Sequence, residues 1–398
     1  QGRHITKMIS KKINQFMKDS SWIRKMFEEA VELKNKYGIE NVFDFSLGNP
    51  NLDPPDIFFE NLKNLNKATH TNIHGYMPNA GFESTRNAVA KKLSNESNSN
   101  LNSEDIVMTV GAAGALNVVL HSILNPNEEV IIFKPFFPEY KFYVDNHNGI
   151  AKYCDYNENF EPNLKDFESL LTKKTKAIIL NSPSNPTGAV SSENELLLVY
   201  KLCERHNLWL ISDEIYARLI YSDSKIHFSP STIDQCKKRV VLINGFSKAY
   251  AMTGWRVGVV TAPYFLIEKM QLLLETSLSC VPPFIQDAAC DALSIKSNVW
   301  QSMLDMYEKR RDLILSGLSE INGFKVYQPQ GAFYIFPDIS NTGYDDLVIS
   351  KILLDECRIA VTPGRFFGPS GKNHIRFSFC CSTADIETAL KLLYAKFN

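Results

Sequence analysis

The chain has 398 residues, with 43 Lys and Arg against 44 Asp and Glu and a formal net charge of −1. That length supports a large core and more than one domain. The balanced charge lacks the basic footprint of a nucleic-acid or anionic-membrane binder, and no apolar run approaches the roughly 18 residues that a membrane helix needs.

The first seven residues, QGRHITK, read as a tag remnant ahead of Met8, and the polar start holds no signal-peptide h-region. Ser21 to Tyr37 predicts an amphipathic helix: Ile23, Met26, Phe27, Ala30 and Val31 recur at helical spacing, Ser20 or Ser21 can cap it, and Gly38 ends it. VFDFSLGNPNLDPP then carries a short strand into a loop where Pro50, Pro54 and Pro55 stop any helix. From about residue 104, short apolar strands alternate with helical segments: DIVMTVG, EVIIFKP, AIILNSP, LWLISDE, VVLINGF and VGVVTAP. The separations suit crossover helices and a mostly parallel sheet, the α/β class. The last two strands stand too close for an intervening helix, so one of them is expected to run antiparallel in a mixed sheet. After about Asp287 comes a long helical stretch, VWQSMLDMYEKRRDLILSGL, and then a smaller α/β unit with strands at FKVYQPQ, FYIFPD, IAVTPG and HIRFSFC. The eight cysteines form no C-x-x-C pair and no zinc-type cluster. They read as free thiols, mostly buried, in a cytoplasmic protein.

Ligands of open α/β sheets bind beyond the carboxyl ends of the strands, so the residues that follow each strand are the candidates for chemistry. Gly111-Ala-Ala-Gly114 opens a helix whose free N–H groups suit a phosphate. Phe136 and Phe137 offer an aromatic face, Asn185 an amide, Asp213 an acid and Tyr216 a phenol. Lys248 follows the apolar strand VVLIN, with Ser247 before it and Arg256 eight residues later. A lysine held at the end of a buried strand is a candidate for a lowered pKa and for amine chemistry. Phosphate donors, a stacking ring, an acid and an amine together fit pyridoxal phosphate, which needs a lysine for its Schiff base and an acid against its pyridine nitrogen. The half-fingerprint GAAGAL also prompts a dinucleotide reading. That reading requires an acid at the end of the next strand, and EVIIF ends in Lys134 and Pro135.

SNPTG (Ser184 to Gly188), SDEIY (Ser212 to Tyr216), GFSKAYAMTGWRVG and IRFSF (Ile375 to Phe379), supported by HGYMPNAG and PGRFFG, occur in one order along nearly the whole chain. In this the sequence resembles the class I/II aminotransferases of the aspartate aminotransferase superfamily. The resemblance implies a large domain, 51–290, with a mostly parallel, mixed seven-stranded sheet flanked by helices. It also implies a smaller α/β domain built from both chain ends, 8–50 and 291–398. Lys248 would form the Schiff base and move the proton, Asp213 would pair with the ring nitrogen, and Asn185 and Tyr216 would bond the ring's phenolic oxygen. Phe137 would stack on the ring. Gly111, Ala112, Ala113, Ser247 and Arg256 would surround the phosphate, and Tyr76 would reach it from the second subunit of a homodimer. Arg376 would grip the substrate carboxylate as a bidentate fork, with the Gly48 backbone and Asn185 beside it. Gly245 departs from the pattern, because some relatives carry a phosphate-binding serine there. Arg365 is a candidate second cation for a distal carboxylate. The implied activity is transfer of an amino group from an L-amino acid to a 2-oxo acid, the alternative being a C–S β-lyase on the same fold.

Overall fold

The computed structural model describes residues 10–19, 21–64, 74–222, 226–295 and 297–398, so the presumed tag remnant and the Ser20 cap lie outside the described residues. After a helix at Lys11–Asp19, the predicted helix spans Ser21–Tyr37 and ends at Gly38, whose positive φ and N–H bond to the Lys34 carbonyl close it. Ala30 is buried as expected, but Val31 is 53% exposed. Among the described apolar positions the buried stripe is therefore narrower than the spacing implied.

A short strand, β1 (Phe43–Asp44), precedes the main sheet, whose members are β2 (Ile106–Val110), β3 (Glu129–Lys134), β4 (Ile150–Asp155), β5 (Thr175–Asn181), β6 (Trp209–Asp213), β7 (Val240–Gly245) and β8 (Val257–Thr261). They lie in the order β2-β8-β7-β6-β5-β3-β4. β8 runs antiparallel to both β2 and β7, and the remaining pairs are parallel. The close spacing of the last two strands thus marks the antiparallel member. β4 has no counterpart among the strands predicted one by one. It is an edge strand, and only Cys154 of IAKYCD is buried, so it lacks the apolar run that reveals its neighbours.

Side chains alternate between two cores, as the period of two in a strand dictates. Ile131, Ile178, Leu210 and Leu242 face one helical layer, while Ile132, Ile179, Ile211 and Val241 face the other. Each such fully buried side chain contributes about 1.5–3 kcal/mol, and the sheet they anchor is the rigid platform for everything at its strand ends.

Beyond the long helix Ser297–Ser319, the C-terminal part carries β9 (Tyr334–Ile335), β10 (Ile359–Ala360), β11 (Thr362–Pro363) and β12 (Ile375–Ser378). β1 pairs with β10 in parallel, and β11, β12 and β9 form an antiparallel sheet. The two chain ends also share one core, in which Phe43 and Phe45 cluster with Phe333, Ile359 and Phe377. FKVYQPQ is not a strand: only Lys325 bridges, to Asp338, and the run toward Pro329 pairs with nothing in register. IAVTPG divides into two short strands because its partner changes from β1 to β12.

Candidate active site

The carboxyl ends of the parallel strands and the loops of the C-terminal part enclose a cavity of about 390 Å³. Gly48, Ala112, Ala113, Phe137, Asn185, Asp213, Tyr216, Ser247, Lys248, Arg256 and Arg376 all line it. Eleven of the residues named from sequence therefore meet in one place, although they span the chain from Gly48 to Arg376.

Lys248 sits just past β7, and its Nζ donates to the Gly48 carbonyl at 2.7 Å. Burial lowers its pKa to about 8, with Arg376 and Arg256 adding to the effect. Its amine is thus neutral far more often near neutral pH than an exposed lysine would be. Asp213, the last residue of β6, is buried. Burial raises its pKa to about 6, against a hydrogen bond of 2.6 Å from the Tyr140 hydroxyl and one of 3.2 Å from the Ile215 N–H. A cation placed beside this carboxyl, such as a protonated ring nitrogen, would restore its charge.

Arg376 lies on β12, buried, with Nη1 donating to Asn185 Oδ1 at 2.8 Å and Nη2 to the Ser46 carbonyl at 2.6 Å. Its guanidinium stacks 4.5 Å from the Tyr334 ring centroid, and its buried Nε has no acceptor among the described residues. That fork is oriented and has bonding capacity in reserve for a carboxylate. Asn185 is held in turn, its N–H donating to Asn181 Oδ1 at 2.8 Å, while Asn181 Nδ2 donates to the Asp213 carbonyl at 3.0 Å.

The end of the cavity expected to take the phosphate lies where the helix Gly111–Ile123 starts directly after β2. Gly111 has φ +69°, and a Cβ there would stand 2.5 Å from Arg256 Nη2. Glycine is required for both the turn and the close approach of the arginine. Gly111 thus backs the cavity wall without lining it. At Gly245 a Cβ would meet the Ile215 side chain and the Val257 carbonyl at 3.0 Å, so the pocket leaves little room for the serine that some relatives carry. Tyr76 is 97% exposed and lies outside the cavity. Arg365 also lies outside it: Nε donates to Asp346 Oδ1 at 2.8 Å and Nη2 to Asp345 Oδ2 at 2.9 Å, with Asp346 fully buried. Two carboxylates hold this arginine, which corrects its reading as a candidate for a substrate carboxylate.

Among the cavity residues that sequence reasoning did not single out, Tyr140, Tyr334 and Glu139 bear on the chemistry. Tyr140 braces Asp213. Tyr334 shares a 2.8 Å hydroxyl contact with Tyr216 and packs so closely on Gly48 that a Cβ there would lie 1.8 Å from its oxygen. Glu139 projects into the same space. Tyr140 and Tyr334 each belong to a motif-poor segment, YKFY and FYIF, and no spacing in the sequence ties either to the site.

A buried amine of lowered pKa, an acid at a parallel strand end, a ring, an arginine-backed helix start and a carboxylate fork match the groups of pyridoxal phosphate one by one. They define a fold-type-I pyridoxal-phosphate enzyme. Residues 40–393 match the family model of aminotransferase class I and II, and the chain belongs to that family. It is 36% identical over 376 residues to an aspartate aminotransferase of Pyrococcus abyssi, covering 93% of this chain and 94% of the relative. It is 34% identical to an aromatic-amino-acid aminotransferase of Thermococcus litoralis, covering 94% and 95%. The solved aspartate aminotransferase of Thermus thermophilus with maleate superposes with a TM-score of 0.88 at 31% identity, covering 97% of this chain and 99% of that one. The protein is accordingly a pyridoxal-phosphate-dependent aminotransferase that transfers an amino group between an amino acid and a 2-oxo acid. The relatives are aminotransferases by name, which disfavours the C–S lyase alternative.

Proposed function

We propose that the catalytic machinery of this aminotransferase is Lys248, Asp213, Tyr216 and Arg376, working in the shared cavity on L-amino acids. When bound there, pyridoxal phosphate supplies an electron sink for the bond broken at the substrate Cα. Lys248 would hold the cofactor through Nζ, and the same amine, when released by the substrate's amine, would move the proton at Cα. Asp213, braced by Tyr140, would keep a proton on the ring nitrogen. Asn185 and Tyr216 would donate toward the phenolic oxygen, and Phe137 would cover the ring face. Ala112, Ala113, Ser247 and Arg256 would hold the phosphate, with Gly111, its N–H given to the Arg256 carbonyl, behind them. Arg376 orients the substrate by its carboxylate, next to the Gly48 backbone. The exposure of Tyr76 supports its use across the interface of a homodimer, since a tyrosine 97% exposed in one subunit is available to the other. The split into a cofactor domain at 51–290 and a smaller domain from 8–50 and 291–398 is supported by the pairing of β1 with β10. Among the described residues no helix is long and apolar enough to cross a membrane, and the five buried free cysteines, with three partly buried ones, support a reducing, cytoplasmic setting.

The observation that carries this reading is that Lys248, Asp213 and Arg376 line one cavity, where burial also lowers the lysine's pKa. Borohydride reduction of the holoenzyme followed by peptide mapping is expected to place the cofactor on Lys248, and a label on another lysine would sink the assignment. In the cofactor-free protein, capture of pyridoxal phosphate should accelerate as pH rises through about 8 and then level off, because the amine loses its proton there. A rate still climbing toward the ordinary lysine value of 10.5 would contradict it.

A further inference from the structure

Glu139 is the first residue of the helix Glu139–Asn146, two positions after the ring-covering Phe137. It lines the cavity together with Lys248 and Arg376. Apart from its own backbone N–H, its carboxylate has no hydrogen bond or ion pair with any described residue. The side chain is open to the cavity, yet its surroundings desolvate it. Burial raises its pKa, and Arg376, Lys141 and Lys248 pull in the opposite direction.

Lys141 does not line the cavity and sets its ammonium over the Phe142 ring, and the other cations around Glu139 are already assigned. Arg376 is the carboxylate fork, bonded to Asn185 and Ser46. Arg256 lies against Gly111 at the phosphate end. Lys248 is the amine, and Arg365 is held outside by Asp345 and Asp346. A donor with its carboxylate on Arg376 and its amine toward Lys248 must place its side chain in the remaining space, much of it apolar wall from Leu47, Phe366 and Phe367. The unassigned charge facing that space is negative. Facing that space, a carboxylate attracts a cationic group and repels a second carboxylate.

We propose that Glu139 makes this enzyme select amino donors whose side chain ends in a cation over donors that end in a carboxylate. The inference rests on the aminotransferase reading of the same cavity. Charged hydrogen bonds of this type correspond to roughly 10–100-fold discrimination.

The test is the half-reaction of the holoenzyme with single donors, followed by the cofactor's absorbance change without any acceptor. Ornithine and norvaline form one pair, differing by the terminal ammonium; glutamate supplies the opposite charge and alanine has no side-chain terminus. The parent should prefer ornithine to norvaline by at least about 10-fold in kcat/KM and norvaline to glutamate. Glu139→Gln should collapse the ornithine-to-norvaline ratio toward unity, and Glu139→Asp should keep most of it. A parent ratio near unity, a parent preference for glutamate over norvaline, or a ratio unmoved by Glu139→Gln overturns the proposal. If the parent converts alanine while any of these holds, only the Glu139 assignment fails. If the parent converts no donor, alanine included, the aminotransferase reading falls, and the proposal with it.

Discussion

At the cofactor end of the cavity, Asp213, Ser247 and Lys248 stand at the ends of adjacent strands β6 and β7, and the helix that starts at Gly111 follows β2 directly. At the substrate end, Arg376 reaches a carbonyl 330 residues earlier, at Ser46, and Tyr334 closes over Gly48. The first region is positioned by one continuous sheet with a core on each face. The second is assembled from the two chain ends, joined by β1 with β10, by the shared core around Phe43, Phe45 and Phe377, and by polar contacts that cross long stretches of sequence. The candidate chemical groups are thus carried by one sheet, and the candidate recognition groups by segments brought together from both chain ends.

Substitutions at the two ends should therefore fail in different kinetic constants. The largest effect is expected at the sheet. Asp213→Asn keeps the shape but removes the charge that holds a proton on the ring nitrogen. A group that acts on charge developing in the transition state acts on kcat, so kcat should fall by about 10²–10³-fold while the cofactor still binds. A near-normal kcat would break the assignment of Asp213. Next is Arg376→Lys, which keeps the charge and loses the bidentate geometry. kcat/KM for amino acids should drop by roughly 10–1,000-fold, about 1.4–4 kcal/mol, with cofactor affinity unchanged. Equal losses for amines that lack a carboxylate would show that the fork is not the clamp. Tyr140→Phe should cost about 10–100-fold in kcat, since it deletes a hydrogen bond to a carboxyl that burial already raises to about 6. With the bond lost, the Asp213 pKa rises further, so the acid limb of the kcat profile should move to higher pH. A change in KM alone would instead assign Tyr140 to packing.

The same contrast explains what the sequence makes legible. β2, β3 and β5 to β8 are apolar runs largely buried on both faces, and in β2, β3, β5, β6 and β7 a candidate site residue stands at the strand's end or a few positions beyond it, while Arg256 directly precedes β8. The edge strand β4 lacks such a run. In the C-terminal part the strands are two to four residues long, set by pairing with distant partners rather than by local pattern, so FKVYQPQ looks like a strand and is none. The residues missed, Tyr140 and Tyr334, act through a bond to another side chain, to Asp213 and Tyr216, across 73 and 118 residues. No local motif encodes such a bond. Arg365 fails in the opposite sense: its motif is visible, but its partners Asp345 and Asp346 lie on a neighbouring helix start that the motif does not announce.

Tyr334 is where the two ends touch, and it carries the smallest effect. Its hydroxyl meets Tyr216 at 2.8 Å on the cofactor side, while its ring underlies the Arg376 guanidinium on the substrate side. Tyr334→Phe keeps the ring and removes one buried hydroxyl, leaving Tyr216 with one partner fewer. A neutral hydrogen bond is worth about 0.5–1.5 kcal/mol net, so the loss should be roughly 2–10-fold. If the hydroxyl serves the cofactor side, the loss appears in kcat and in the cofactor's absorbance profile with pH, because Tyr216 is then freer to bond the phenolic oxygen. If it serves the substrate side, KM rises alone. Tyr334→Leu removes the ring as well and should add a KM increase, since the guanidinium loses its stacking partner. A Tyr334→Leu variant with the same KM as Tyr334→Phe would mean that β12 and the bonds to Asn185 and Ser46 hold Arg376 without the ring beneath it.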